Sequence, residues 1–393
     1  MRIGMSNFLG LFLMVTILLS SCDLNKINLD RNDDELIPNY NITLDEFRVS
    51  KDMQSDIIVI RDNLFAMAIE DNLGEIIIVE IGQEYDETWN LTMDSIQRIG
   101  EGRLTFFDAY GENYLIGFND LNSDFHLQIL DKSYNSSQSL DNLESFIDTS
   151  YNDIDSLHLT GFSYDEVSMD IVFGGVVFTQ GTSYSCVLKT DQFLNPLYFK
   201  TYFAEHLVTD ILCLEQDTYL LLTAGPAQSN LIRDNTSGAA YTKYKISEDR
   251  LFFGLQAILD TSIIYLTGVS EGIGRTMEVN LETESAFVND IEIYPVSDVR
   301  ALYLTRNNII TTGIQVFEDS LFHFSSELYD NGSLWCKRDR MDQMHRILDF
   351  VEMPGKGMLT SAIIDRNNSF FIQLTRIDEE GARFNNEFTE NCI

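Results

Sequence analysis

One pattern of strands recurs seven times along this chain, and no other feature of the sequence restricts its fold as strongly. From Leu207 the chain reads LVTDILCLEQDTYLLLTAG: an aspartate opens a strand-like stretch, a short turn follows, and an apolar strand ends in a small residue. The same order returns as VSDVRALYLTRNNIITTG from Val296 and ILDFVEMPGKGMLTSA from Ile347. Looser copies begin at Ser55, Phe106 and Leu255, and a longer one runs from Asp155 to Gly174. After each copy come a strand, a polar turn and another strand, as in SYSCVLKTDQFLNPLYFKTY from Ser183 and LFHFSSELYDNGSLWCKRDR from Leu321. These second elements start near Ile76, Phe125, Ser183, Ala239, Arg275, Leu321 and Phe370, at spacings of 36–58 residues. Loop insertions between retained strands produce such variation.

Each repeat therefore holds four short strands rich in apolar and β-branched residues, divided by turns such as Asp330-Asn331-Gly332. Helical periodicity is nearly absent. Four-stranded units recurring near fifty residues predict an all-β fold, a single β-propeller of four-stranded blades. Seven blades account for the chain from Ser55 to Ile393, with six or eight as the alternatives. A pair of β-sandwiches or a solenoid would lack this four-beat order. Ala68, Gly117, Gly174, Ala224, Gly268, Gly313 and Ala362 are expected at one equivalent place, where small residues let backbones approach.

Residues 1–21 are expected to be a signal peptide rather than part of the fold. Arg2 supplies a positive start, and Phe8–Leu19 is an apolar run too short to span a bilayer comfortably. The run ends in Leu19-Ser20-Ser21-Cys22, which resembles the bacterial lipobox: an aliphatic residue, two small ones, then the cysteine whose sulfur carries diacylglycerol. That resemblance implies a lipoprotein anchored to a membrane through Cys22, since two or three acyl chains hold a protein stably. Residues 22–40 contain Asp23, Asp30, Asp33, Asp34 and Glu35, have few apolar side chains, and read as an acidic tether. Acidic residues after such a cysteine resemble the surface-export signals of Bacteroidota lipoproteins, whereas aspartate directly after it is a retention signal in enterobacteria. The expected place is the cell envelope, at the outer membrane, on the periplasmic or the surface side.

The propeller is expected over residues 41–393. Its first segment, Asn41–Ser50 (NITLDEFRVS), carries Ile42, Leu44, Phe47 and Val49, which a tether has no use for. We expect it to be a strand beside the last blade, closing the ring and removing two sheet edges. Residues 382–388 are a candidate fourth strand of that blade from its own end, which the first segment would flank or replace.

The blade pattern resembles bacterial secreted repeat propellers that read roughly "D…DGGY…TG…KLD..G..LW". Tyr265-Leu266-Thr267-Gly268, Leu188-Lys189-Thr190-Asp191 and Asn331-Gly332-Ser333-Leu334-Trp335 carry the likeness, while the DGGY turn is missing. The likeness covers nearly all of the folded region but is degenerate in every blade. It implies a fold, and a binding or assembly role, more than any chemistry.

The formal net charge of −36 opposes nucleic acid and anionic lipid headgroups, so no nucleic-acid partner is expected. The expected partners are a membrane, through the lipid, and a protein or glycan. A non-catalytic binding or assembly module is the favoured function. The alternatives are a propeller enzyme that processes extracellular polysaccharide or peptide, and a purely structural envelope component. No catalytic set is assigned: the five histidines lack metal spacing, and there is no Gly-x-Ser-x-Gly elbow.

Three sets of residues merit placement. Asp56, Asp108, Asp155, Asp210, Asp298 and Asp349 open six repeats, with Gln256 in the remaining one. On strands lining an axis they would form a ring of carboxylates at one mouth. The favoured role is structural, bonding nearby backbone N–H groups. Asp120, Asn122 and Asp124 have the spacing of a calcium loop, but Phe125 stands where that loop wants glycine. No cofactor is expected, calcium at that loop being the one considered. Of the cysteines after Cys22, Cys186 and Cys213 lie in apolar strands, and Cys336 with Cys392 is the favoured pair for a disulfide.

Overall fold

The computed structural model describes residues 41–393, apart from short stretches of which 84–90, 141–153 and 378–388 are the longest. The leader, Cys22 and the tether lie outside the described residues, as do Asp330, Asn331, Cys392 and the strand expected at 382–388.

A short strand, β1 (Asn41–Thr43), comes first. Sheet I holds β2 (Ile57–Arg61), β3 (Leu64–Glu70), β4 (Glu75–Gln83) and β5 (Leu91–Glu101). Sheet II holds β6 (Arg103–Tyr110), β7 (Asn113–Asn119), β8 (Phe125–Leu130) and β9 (Ser136–Leu140). Then come β10 (Ile154–Tyr164), β11 (Ile171–Thr179), β12 (Thr182–Thr190) and β13 (Pro196–Ala204) in sheet III. Sheet IV contains β14 (Leu207–Glu215), β15 (Thr218–Ala224), β16 (Gln228–Asn235) and β17 (Thr242–Glu248). Sheet V contains β18 (Leu251–Ala257), β19 (Ile263–Ser270), β20 (Ile273–Asn280) and β21 (Ser285–Asp290). Sheet VI is built from β22 (Val296–Leu304), β23 (Ile309–Phe317), β24 (Ser320–Tyr329) and β25 (Gly332–Arg340). Sheet VII is built from β26 (Met344–Glu352), β27 (Met358–Asp365) and β28 (Phe370–Ile377), and β29 (Thr389–Asn391) ends the series.

Strands follow one another in each sheet as an antiparallel meander. Two sheets gain a strand from a distant part of the chain: β1 lies beside β28 in sheet VII, and β29 lies beside β25 in sheet VI. The first strands touch in a circuit: β2 meets β6, then β10, β14, β18, β22 and β26 follow in turn, and β26 returns to β2. Four-stranded meanders set around a closed ring of inner strands are a β-propeller. Each sheet begins within four residues of the start of a sequence repeat.

Period-two alternation explains why the middle strands read as unbroken apolar runs. In β3, Phe65, Met67 and Ile69 point into a core shared with sheet VII, while Ala66 and Ala68 point into a core shared with sheet II. Along β4, Ile77, Val79 and Ile81 face the first core, and Ile76 and Ile78 face the second. Further cores join sheets II and III, III and IV, IV and V, and VI and VII. A propeller sheet has no solvent face in its middle, so its sequence shows apolar runs where a half-exposed sheet would alternate.

Ring closure uses the N-terminal segment. Asn41, Ile42 and Thr43 pair with Thr375, Leu374 and Gln373. The Leu44 N–H donates to the Ile372 carbonyl at 2.9 Å, and the Val49 N–H to that of Phe370 at 2.9 Å. The regular strand is thus shorter than the 41–50 expected from sequence, because residues 45–48 bulge away before Val49 rejoins β28. Leu44, Phe47 and Val49 are buried in the core between sheets I and VII. Each such side chain stabilises by about 1.5–3 kcal/mol. Arg366 adds an ion pair to Asp45 at 2.7 Å and a bond to the Thr43 hydroxyl at 3.1 Å.

The small residues of the second strands do not share one register, contrary to expectation. Gly117 pairs with Phe106 and Gly174 with Gly161, but Gly313 and Ala362 pair with Val299 and Ile347, and Ala224 and Gly268 with Leu207 and Phe252. Their physical reasons also differ. A Cβ on Gly174 would stand 2.6 Å from Cγ1 of Val208 in the next sheet, whereas one on Gly117 would meet the Phe106 ring of its own sheet at 2.4 Å.

Candidate functional site

The inner strands set the geometry of the axis. Pairing of β6, β10, β14, β18, β22 and β26 with their neighbours slips just after Leu104, Leu159, Val208, Phe253, Val296 and Ile347. Such a bulge turns the next side chain off the regular alternation. The residues past the slip are Phe106, Gly161, Asp210, Leu255, Asp298 and Asp349. Asp210, Asp298 and Asp349 therefore hold one equivalent place. Asp56 takes it in sheet I: the hydroxyl of Ser55 before it bonds the Ala68 carbonyl, as that of Thr209 bonds the Leu222 carbonyl. Asp108 lies two residues farther along β6, on the same face, and Gln256 follows Leu255 by one residue in β18. Asp155 leaves the set. It sits near the start of β10, where its Oδ2 accepts the Gly181 N–H at 3.3 Å, and Gly161 occupies the equivalent place.

Being edge strands, the inner strands present backbone N–H groups without a sheet partner, and the aspartates take them up. Asp349 Oδ2 accepts the Ile57 N–H at 2.8 Å, so this carboxylate joins sheet VII to sheet I across the closure. Asp210 and Asp108 accept the N–H groups of Ile211 at 2.8 Å and Ala109 at 2.6 Å. Desolvation pushes Asp349 up to about 7 against hydrogen bonds from the Ile57 and Phe350 amides, and the charge of Asp108 adds to the rise. Burial raises Asp108 to about 6 against its bond from Ala109. The residue is nevertheless exposed to solvent. Many protein atoms stand around the carboxyl although solvent reaches it, so partial desolvation sets the direction of the rise.

The calcium-like loop is a hairpin turn. Asp120 Oδ1 accepts the N–H groups of Asn122 at 2.8 Å and Asp124 at 3.0 Å, its own N–H donates to the Asp124 carbonyl, and His126 lies 3.3 Å from its other oxygen. Asp71, Asp131 and Asp191 make the same pair of bonds, to the second and fourth residues after each. The third residue after each of these takes a positive φ: Gly74 at 81°, Tyr134 at 59° and Leu194 at 63°. Glycine fills this left-handed place only after Asp71, and Tyr134 and Leu194 adopt it in the other two turns. Hydrogen bonds from the Asn135 and Ser133 amides hold Asp131 below the usual carboxylate range. Asp191 lies below it too: bonds from Asn195 and Phe193 outweigh the opposing effect of burial. Among the described residues no group of three or more His, Cys, Asp or Glu side chains is placed to hold a metal ion.

Sequence reasoning missed a polar cluster between sheets III and IV. Asp234, whose side chain is 1% exposed, receives Lys200 Nζ at 2.6 Å and the Tyr202 hydroxyl at 2.6 Å, and Tyr202 also bonds the hydroxyl of Tyr219. Lys200 lies 5.2 Å from the ring centres of both Tyr202 and Tyr241. Lys200 and Tyr202 come from β13, Tyr219 from β15 and Asp234 from β16, and the one sequence signal is a lysine inside the otherwise largely apolar and aromatic β13. A second link between the same sheets is Lys189, nearly buried, between Asp170 at 2.9 Å and Asp217. Cys186 and Cys213 are free thiols; burial raises both, Cys213 to about 12. Of Cys336 the structure gives the place in β25, one residue before Lys337, which pairs with Asn391 of β29.

No family model matches the chain, and no curated protein matches it. Among solved structures it is similar to the WD40 β-propeller domain of Doa1, at 12% identity and a TM-score of 0.49, over 84% of this chain and 95% of that one. It is similar also to the propeller of Dos1, at 10% identity and a TM-score of 0.49, over 90% and 97%. The class, an all-β propeller of four-stranded sheets, is carried by the closed circuit of inner strands.

Proposed function

We propose that this chain is a non-catalytic binding or assembly module of a bacterial cell envelope, a single seven-bladed propeller held on a membrane by lipid on Cys22. One observation carries the reading: the N-terminal segment is built into sheet VII through β1, Leu44 and Val49, so the ring is closed and its turns project from a rigid disc. Rigid scaffolds that display loops are suited to recognition. The placed aspartates favour the same reading, because Asp108, Asp120, Asp131, Asp191, Asp210 and Asp349 all accept backbone amides, as scaffold residues do. On this reading residues 22–40 are the tether that gives the disc its reach, and the outer membrane is its site.

The test is chemical crosslinking in intact envelopes, followed by capture of wild-type and Cys22→Ala protein. We expect wild type to sediment with membranes and to carry one reproducible partner in near-stoichiometric amount, and Cys22→Ala to leave the membrane fraction. Turnover of a polysaccharide or peptide panel by the purified full chain, with no partner captured, would replace this reading with the enzymatic one.

A further inference from the structure

We propose that the face of the disc bearing the β10–β11 and β12–β13 turns docks a cationic polypeptide segment carrying an apolar anchor side chain. The proposal rests on the binding-module reading and names the partner's chemistry. Val167, at the tip of the first turn, is 93% exposed, and Phe193, at the tip of the second, is 57% exposed. Both turns lie at the same end of one sheet, two strand spacings or about 10 Å apart. Neither tip is loose. The Val167 N–H donates to Asp165 Oδ1 at 3.0 Å and the Phe193 N–H to Asp191 Oδ1 at 2.9 Å, so each apolar side chain is presented by a carboxylate that fixes its own amide. Pre-organised apolar side chains held in water are what a binding surface requires, since little ordering entropy remains to be lost on docking.

Beside Phe193 a depression of about 230 Å³ opens between sheets II and III, lined by Tyr110, Ile129 and Met169 together with the polar Glu112, Asn113, Ser137, Gln138 and Gln192. The Tyr110 hydroxyl donates to the Met169 carbonyl at 2.9 Å and sets one wall against the other. That space is large enough for one side chain, whose apolar part would lie against Tyr110, Met169 and Phe193.

Charge decides what carries that side chain. The carboxylates of Glu112, Asp131, Asp165, Asp170, Asp191 and Asp217 surround these turns, against Lys132 and Lys189. Lys189 is already held by Asp170 and Asp217, and Lys132 lies 3.2 Å from Glu112. Hydrogen bonds hold Asp131, Asp165, Asp191 and Asp217 below the ordinary carboxylate range, so all four are ionised at neutral pH. A second copy of this chain, at −36, is repelled, as is an anionic membrane. A segment bearing lysine or arginine is drawn in.

The probe is a fluorescent synthetic peptide of alternating lysine and phenylalanine, with a lysine–serine peptide as the charge control, titrated by anisotropy against the full chain in detergent. We expect the lysine–phenylalanine peptide to bind, and to bind Val167→Ser/Phe193→Ser about tenfold or more weakly, a loss of about 1.4 kcal/mol or more. The matched control is Leu73→Ser/Leu121→Ser, which removes two leucines that are 77% and 74% exposed at the other end of the sheets, and it should change affinity by less than about twofold. All substitutions are at exposed turn tips, and unchanged melting of both double variants checks that they fold. Equal binding by wild type and Val167→Ser/Phe193→Ser, equal loss in the control, equal binding of the lysine–serine peptide, or no binding of the probe would each overturn the proposal. If crosslinking still captures the envelope partner on Val167→Ser/Phe193→Ser, this surface is wrong and the binding-module reading stands. If wild type captures no partner, that reading itself fails.

Discussion

The aspartates of the axis and those of the outer turns are the same residue type doing the same local job, and their surroundings push them in opposite directions. Asp349 and Asp108 each accept backbone amides on inner strands, and burial still raises them to about 7 and about 6. Asp131 and Asp191 also accept backbone amides, two each at half-exposed outer turns, and lie below the ordinary carboxylate range. A hydrogen bond to an ionised carboxylate favours the charge, but on the inner ring the loss of water outweighs it. Recurrence of aspartate in a repeat therefore marks a backbone need, and the location of that need decides what the residue does to stability.

Breaking the ring should give the largest effect. Deletion of residues 41–50 removes β1 and the buried Leu44, Phe47 and Val49, and should cost more than about 4 kcal/mol in urea unfolding. Deletion of 23–40 should cost less than about 0.5 kcal/mol, because it takes out only tether. Equal melting of the two deletions would show that closure does not depend on β1.

Asp349→Asn comes next and sharpens the comparison at the axis. A carboxyl whose folded pKa lies near 7 destabilises the fold in full above that pH, and the penalty fades as pH falls toward 4. The substituted side-chain amide keeps an oxygen for the Ile57 N–H and carries no charge. The variant should therefore be more stable than wild type by about 1–3 kcal/mol at pH 8, with the gain shrinking below pH 7 and vanishing near pH 4. His158 and His206, which burial holds below their ordinary range, subtract stability from both proteins alike as pH falls through 6.5, so the difference between the two isolates Asp349. A pH-independent difference would place Asp349 in water.

Asp191→Ala addresses the other side of the comparison, with the smallest effect. It releases the amides of Phe193 and Asn195 at a solvent-reached turn and should cost about 1 kcal/mol. The loss should be constant from pH 5 to 8, since a depressed carboxylate contributes its stability above its unfolded pKa and loses it only below about 4. A loss that grows between pH 5 and 8 would remove the distinction between the two classes.

Much of this architecture was legible in the residues. The repeat starts coincide with the sheets, because propeller blades bury both faces of their middle strands and so write apolar runs such as Leu220–Leu222 and Ile76–Val79 into the sequence. Closure by the N-terminal segment was legible from Leu44, Phe47 and Val49, apolar residues with no use in a tether. Register was not. The slip ahead of Asp210 and Asp349 shifts pairing by one residue without a mark in composition, so Asp155 looked equivalent to them and the small residues of the second strands looked aligned. The Asp234 cluster was invisible because Lys200, Tyr219 and Asp234 meet across two sheets and share no local pattern.

Carboxyl-carbon NMR of selectively labelled aspartate, titrated from pH 3 to 9 with Asp→Asn variants for assignment, tests the two classes most directly. Asp349 and Asp108 should titrate near 7 and 6, and Asp131 and Asp191 below the ordinary value near 3.9. All four titrating together near 4 would contradict the account, because the inner ring would then be as well solvated as the turns.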